Sequence, residues 1–332
     1  MHTKTVGSLT TSALGLGCMA MSAAYGEADR GESIATVRTA LDAGITLLDT
    51  ADFYGMGHNE LLLAEALRGR PRDSYQLSVK FGGLVSPDGA LLGFDGRAVA
   101  VKTSAAYSLR RLDTDYLDVY RPARLDPSVP IEETVGAIGE LVDAGYVRHI
   151  GLSEVGADTI RRAVAVRPIT DLQIEYSLVS RGIEREILAS CRELAVGITA
   201  YGVLARGLIG AHWAESPHKR GDSRLANPRF SEDNLGRNLA LVEALRAVAQ
   251  EIGVTVAQAA VAWVASRGSD IVPLIGAKTR MRLTESLGAA DLALTDDQLA
   301  AIEAAVPAKR VAGERYPAAH MTALDSERRP SD

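Results

Sequence analysis

Asp49, Tyr54 and Lys80 are the residues whose types and placement suggest chemistry. The run Asp49-Thr50-Ala51-Asp52-Phe53-Tyr54-Gly55 closes one short apolar segment, and Lys80 closes the next. Reducing a carbonyl requires a hydride donor on one side and, at the oxygen, an acid that strengthens as alkoxide charge develops. A phenol near its ordinary pKa of ~10 is too weak alone and needs a nearby cation to stabilise the phenolate. Lys80, with its charge held by the Asp49 carboxylate, is suited to supply that field, which makes Tyr54 the expected proton donor. Taken singly, an Asp, Tyr or Lys at a strand end is more often a surface or satisfied polar residue. The inference rests on three complementary types at the ends of consecutive predicted strands, where barrel enzymes assemble their sites.

The elements that must position them alternate. Short β-rich apolar runs at 14–17, 45–49, 76–80, 116–120, 149–153, 172–175, 198–201 and 271–275 are separated by segments of helical period. Eight such βα units predict a single-domain α/β fold, a (β/α)8 TIM barrel over residues 1–315, followed by a polar tail at 316–332 that is expected to be partly disordered. Ile34, Val37 and Leu41 share a face ahead of Gly44, and Val135, Ile138, Leu141 and Val142 precede Gly145. Ile183, Ile187, Leu188, Cys191 and Leu194 precede Gly197 in the same way, so each helix is expected to end in a glycine cap, with Cys191 in the core. Thr255 with Gln258, and Thr295 with Gln298, have capping-box spacing. Two stretches at 81–97 and 207–237 break the alternation after strands, as surface insertions or as loops over the site.

Gly15-Leu16-Gly17-Cys18-Met19-Ala20 matches the GxGxxA dinucleotide fingerprint, but residues 21–30 read as a turn and no acidic residue ends a strand about twenty residues on. In a barrel these glycines instead let backbone at the first strand's end approach a ligand. The net charge of −6, with Lys and Arg scattered, gives no basic stripe for nucleic acid. The 47% hydrophobic and 23% charged fractions are those of a globular chain with a large core. Cys18 and Cys191 have neither zinc nor disulfide-framework spacing, so no metal is expected. Met1-His2-Thr3-Lys4 lacks a signal-peptide core, and no apolar run reaches the ~18 residues of a membrane span. A soluble cytoplasmic protein is expected, with its oligomeric state left open.

The chain also resembles the aldo-keto reductase family over nearly its whole length, in the branch of longer, bacterial-type chains. The motifs are Gly44-Ile45-Thr46-Leu47-Leu48-Asp49-Thr50-Ala51-Asp52-Phe53-Tyr54-Gly55, Val79-Lys80, Val147-Arg148-His149-Ile150-Gly151-Leu152-Ser153, Leu172-Gln173-Ile174-Glu175-Tyr176-Ser177 and Pro273-Leu274-Ile275-Gly276 with Lys278. The resemblance implies a (β/α)8 barrel that binds NADPH without a Rossmann motif and acts on a small-molecule carbonyl or alcohol, with Tyr54 as the acid tuned by Lys80 and Asp49. It also implies Ser153 and Gln173 at the carboxamide, Tyr176 stacked on the nicotinamide, and Tyr201, Gly202, Leu204, Arg206 and Gly207 in a loop at the diphosphate. The cluster Lys278, Arg280 and Arg282 after Ile275-Gly276-Ala277 would otherwise read as a solvated helix face. The resemblance turns Lys278 and Arg282 into ligands of the 2′-phosphate and Glu285 into an adenine contact, with Ser286 where the family more often has Asn. Glu154 likewise stands where Asn is common.

One departure is pronounced. The family carries a catalytic His after its fourth strand, and this chain reads Tyr120-Arg121-Pro122-Ala123-Arg124-Leu125-Asp126-Pro127, with Ala123 at that place. The loss removes a donor and enlarges the pocket beside Tyr54, which leaves a slower or specialised reductase, a site where Arg121 or Arg124 supplies the donor, or a cofactor binder with little turnover. Arg121 shares the orientation of Ala123 if strand alternation persists. Met19, Met21, Tyr25, Phe53, Arg121 and Ala123 are the expected substrate pocket, suited to an apolar or aromatic carbonyl compound. The alternative is a reductase-like NADPH sensor with little turnover.

Overall fold

In the computed structural model, which describes residues 1–22, 25–210 and 222–328, the chain opens with a hairpin of β1 (Thr3–Val6) and β2 (Leu9–Ser12) turned at Gly7, whose φ is +58°. The first half of the barrel follows: β3 (Gly15–Gly17), α1 (Arg30–Asp42), β4 (Leu47–Ala51), α2 (His58–Leu67) and β5 (Gln76–Phe81). A second hairpin, β6 (Gly83–Val85) with β7 (Leu91–Phe94), then leads to α3 (Ala98–Leu112), β8 (Leu117–Pro122), α4 (Ile131–Asp143), β9 (Val147–Ser153) and α5 (Ala157–Val166). The remainder is β10 (Ile169–Glu175), α6 (Ile187–Glu193), β11 (Gly197–Tyr201), α7 (Glu232–Ile252), α8 (Val256–Ser266), β12 (Ile271–Gly276), α9 (Arg280–Leu287), α10 (Asp296–Ala305) and the short α11 (Ala318–Met321).

Eight parallel strands close in the order β10-β11-β12-β3-β4-β5-β8-β9, the (β/α)8 TIM barrel expected from the eight apolar runs. Two apolar cores result. The larger lies between sheet and helices, where α8 contributes the fully buried Val261, Trp263 and Val264. The smaller lies inside the barrel, where Leu47, Val119, Val272 and Leu274 meet Val6 and Leu9 of the first hairpin, which plugs the floor. No helix among the described residues is long and apolar enough to cross a membrane.

Local punctuation follows the sequence in most places. Both capping boxes form, at the starts of α8 and α10. Gly44 and Gly145 take left-handed φ values of +87° and +83° just beyond α1 and α4. The third expected cap differs: α6 is followed by a left-handed Ala195, and Gly197 instead begins β11. Gly197 is needed there because a Cβ would stand 2.7 Å from backbone atoms of the floor hairpin. The stretch 81–97 is a hairpin, not an irregular loop, and its Gly83 packs on the Phe53 ring. In the stretch 207–237, α7 already begins at Glu232, while residues 211–221 lie outside those described. The tail through Arg328 packs on the barrel, while 329–332 lie outside those described.

Candidate active site

Asp49 and Lys80 end up side by side because β4 and β5 pair in register and both residues point inward. Lys80 Nζ donates to Asp49 Oδ1 at 2.5 Å and to the Thr50 carbonyl at 2.9 Å, and both side chains are about 95% buried. The second carboxylate oxygen accepts from Ser78 Oγ at 2.9 Å and from Gln173 Nε2 at 2.6 Å. Since β10 lies across the closed barrel from β4, the Gln173 bond spans the interior. Gln173 therefore belongs to the group that holds Asp49. Burial lowers the Lys80 pKa, and Asp49 opposes that shift.

Tyr54 follows β4 on a turn with left-handed Gly55 and Gly57, at φ +56° and +91°. Asn59 clamps this turn: it accepts from Thr50 Oγ1 at 2.7 Å and donates to the Cys18 carbonyl and Ser22 Oγ at 2.9 and 2.8 Å. Phe53 meets the Tyr54 ring edge-on at 5.1 Å, and Lys80 Nζ stands 5.0 Å from that ring's centroid. Burial and then Asp49 push the Tyr54 pKa well above the ordinary phenol value. Arg124 works against this shift, while Lys80 Nζ is held by Asp49.

Behind this turn Asp52 accepts the Gly82 amide at 3.4 Å through Oδ2, while its buried Oδ1 has no partner. Burial pushes its carboxyl up to about 6, and nearby Glu60 adds to the shift. Because the folded-state pKa is raised, ionisation costs stability as pH rises from about 4 to about 6, by about 3 kcal/mol at most. Asp52→Asn should therefore be more stable than the parent above pH ~6 and lose the advantage near pH ~4. Urea midpoints at both pH values test this, and parallel curves for the two proteins would refute it.

The two arginines after the fourth barrel strand part company. Arg121 is 1% exposed and faces the barrel interior, with Nη2 3.1 Å from Asp171 Oδ1, so it is no pocket residue. Arg124 is at the mouth: its Nη1 donates to the Ala123 carbonyl at 2.6 Å and reaches Ser153 Oγ at 3.5 Å, and its charge acts on both Tyr54 and Lys80. Ala123 is buried, its amide bonded to the Phe81 carbonyl at 2.9 Å. Met21 is likewise buried in the outer core and drops out of the expected pocket. Met19 and Phe53 remain half-buried after β3 and β4, at the same end of the barrel. Tyr25 lies in the field of Arg206 and Arg224, and burial pushes its hydroxyl up to about 12.

Tyr176 does not stand where the resemblance implies. Gln173 points inward, so three residues on Tyr176 points outward, packing on Trp263 with ring centroids 5.5 Å apart and donating to Glu184 at 2.7 Å. It cannot stack on anything at the mouth. The aromatic ring there is Tyr201, which ends β11 half-exposed. After it Ala205, Arg206 and Gly207 take successive left-handed φ values of +47°, +58° and +91°. Such strain in two non-glycine residues marks a loop shaped for its backbone groups. Arg206 turns inward to the Arg315 carbonyl at 2.9 Å and Glu175 at 3.2 Å, so its guanidinium does not stand free for a diphosphate.

Across the mouth, Gly276 is exposed, Lys278 Nζ donates to the Glu27 carbonyl at 2.7 Å, and Thr279 caps α9. Arg282 is half-buried and Glu285 sits 3.6 Å from it, whereas Ile275, Ala277 and Ser286 are buried.

The model of the aldo/keto reductase family matches residues 13–307. The chain belongs to the aldo/keto reductase family. It is 42% identical to probable aldo-keto reductase 1 of Glycine max over 306 residues, spanning 92% of this chain and 88% of that one. Among solved structures, a glycerol dehydrogenase of Gluconobacter oxydans superposes with a TM-score of 0.84 at 27% identity, over 93% and 96% of the two chains. An aldo-keto reductase of Klebsiella pneumoniae in complex with NADPH gives 0.73 at 28% identity, over 92% and 96%.

For an aldo/keto reductase the cluster at the strands' C-terminal ends is where an oxidoreductase site belongs. The face suits a nicotinamide cofactor: the 202–207 loop turns through left-handed residues, and an exposed glycine and Lys278 precede a capped helix carrying Arg282. Arg315 and Tyr316 were not visible from sequence, and Glu154 carried no assigned role there. Glu154 and Arg315 form a bidentate pair across 161 residues, and the Tyr316 hydroxyl lies 3.2 Å from that of Tyr201. No local pattern signals contacts over that separation. The one hint was Glu154 itself, standing where the resemblance places Asn; the structure sets it at φ +54°.

Proposed function

We propose that this aldo/keto reductase reduces an aldehyde or ketone, or oxidises the corresponding alcohol, with NADPH, and that Tyr54 exchanges the proton. The observation that carries the reading is the buried Lys80–Asp49 pair, crossed by Gln173 and set against the Tyr54 ring at the barrel mouth. NADPH, when bound, supplies the hydride. Lys278 and Arg282 would hold its 2′-phosphate with Glu285 beside the adenine, while the amides of Gly202 and Leu204, in the turn that Gly207 closes, and the backbone of Ile275, Gly276 and Ala277 would take the diphosphate side. Ser153 would meet the carboxamide, and Tyr201 would stand against the ring. Ser286 and the guanidinium of Arg206 are the least available of the expected set, being buried or already paired.

With Ala123 at the position where the resemblance places His, Arg124 is the cation that remains at the mouth to share the carbonyl oxygen. Met19, Phe53 and Tyr25 favour an apolar or aromatic carbonyl substrate, and the free buried Cys18 and Cys191 accord with a reducing cytoplasm. Arg124→Met should lower kcat/KM for carbonyl reduction by about 10²-fold at unchanged NADPH affinity. Following nicotinamide absorbance across a panel of aldehydes, ketones and quinones tests both claims. Tight NADPH binding without turnover of any of them would replace the reductase reading with that of a sensor.

A further inference from the structure

We propose that Glu154 and Arg315 are positioning residues, whose buried ion pair fastens residues 314–328 to the end of β9 and thereby sets the hydroxyls of Tyr201 and Tyr316 beside Arg124. The proposal rests on the reductase reading for what those groups then serve.

Glu154 follows β9 in a left-handed conformation, so its side chain leaves the line of the strand and runs beneath the mouth. It is fully buried, and every bond it accepts is accounted for. Oε1 takes the Glu175 amide at 3.0 Å, the Tyr201 hydroxyl at 2.7 Å and Arg315 Nη1 at 2.8 Å. Oε2 takes Arg315 Nη2 at 2.6 Å and Ser326 Oγ at 2.7 Å. Three of these five donors belong to the C-terminal segment, which is tied down further where Ser326 N donates to the Glu154 carbonyl at 3.2 Å. Asp325 adds a carboxylate that accepts the Gly156 amide, at 2.8 Å, at the start of α5.

The consequence reaches the site through one residue. Tyr316 is the immediate neighbour of Arg315; its hydroxyl lies 3.2 Å from that of Tyr201 and 3.5 Å from Arg124 Nη2, and the Arg206 guanidinium covers its ring at 4.4 Å. A continuous polar path therefore runs from Glu154 through Tyr201 and Tyr316 to Arg124. A buried ion pair is weak evidence for stability, because two apolar groups of similar volume often do as well. What apolar groups cannot do is accept the Tyr201 hydroxyl and fix the direction in which Tyr316 enters. The pair is thus better suited to placement than to holding the fold together.

That difference sets the test. The double variant Glu154→Met with Arg315→Met removes both charges together, so neither is stranded, and Glu175, which also faces Arg315 at 3.6 Å, keeps Arg206 and Arg229 as partners. In the NADPH complex it should melt near the parent, with amide exchange faster in 314–328 and unchanged in the barrel strands. KM for the carbonyl substrate and Kd for NADPH should each rise about tenfold, the scale of losing a preorganised geometry. Arg315→Lys, which keeps one bond to the carboxylate, should recover part of the loss. Unchanged exchange in 314–328, or faster exchange with parental KM and Kd, would show that the pair only fills space. If the parent turns over no carbonyl compound, the reductase reading fails by itself, and exchange together with NADPH Kd decides the positioning role.

Discussion

Tyr54→Phe is expected to lower kcat for carbonyl reduction by about 10³-fold while NADPH affinity stays within about twofold. The substitution removes one oxygen and keeps the ring that Phe53 and Lys80 contact, so the site's packing survives. What disappears is the proton source, and the two nearest cations do not stand in for it. Lys80 spends two of its donors on Asp49 and the Thr50 carbonyl, and the Arg124 guanidinium does not release a proton. The raised pKa of Tyr54 adds a pH signature to the same experiment. With burial and Asp49 pushing it above the ordinary phenol value, the hydroxyl stays protonated as pH rises through neutrality. Parental reduction should therefore show no alkaline loss from this group below pH ~10. A variant with near-parental kcat, or a parent whose reduction rate falls with an apparent pKa near neutrality, would remove Tyr54 from its assigned role.

Asp171→Leu is expected to cost about 3–5 kcal/mol of stability, more than Arg121→Leu at the paired position. Both side chains lie inside the barrel and are almost wholly buried, with Arg121 Nη2 3.1 Å from Asp171 Oδ1. There is little slack around them, since a Cβ on Gly151 would come within 2.8 Å of both side chains. The asymmetry comes from protonation. Removing Asp171 strands a guanidinium that cannot shed its charge, and Arg121 Nε and Nη1 already lack partners. Removing Arg121 strands a carboxyl whose pKa burial has already raised, and which can neutralise itself by taking a proton. Arg121→Leu should accordingly regain stability as pH falls, whereas Asp171→Leu should not. The double variant should be more stable than Asp171→Leu alone. Urea midpoints of the three variants at two pH values measure all of this, and equal losses for the two single changes would overturn the argument.

Much of the barrel was legible because it is encoded by local period. Eight apolar runs separated by helical segments have few other ways to bury both faces, and capping boxes such as Thr255–Gln258 are four-residue features that form wherever the backbone turns helical. The juxtaposition of Asp49 with Lys80 was also readable, since inward residues near the ends of adjacent parallel strands meet at one rim. Orientation within a strand's exit was less so. Tyr176 looked like a mouth residue until the inward Gln173 set the alternation that turns it toward Trp263, and Arg121 proved to point at Asp171 inside the barrel. The hairpin at 83–94 was read as a loop because a short, exposed two-stranded ribbon has no buried face to imprint a pattern.

By itself, then, the sequence determined the barrel, the reductase-like motifs and the Asp49–Tyr54–Lys80 set, all of which depend on contacts between neighbouring units. Only the tertiary structure decided that Arg124 and not Arg121 stands at the mouth, and that Gln173 crosses the barrel to hold Asp49. It alone brought Arg315 and Tyr316 back over the site to Glu154 and Tyr201. The Gln173–Asp49, Arg315–Glu154 and Tyr316–Tyr201 contacts join residues more than a hundred positions apart, and closure of the barrel brings them together after each strand's local preferences have been satisfied.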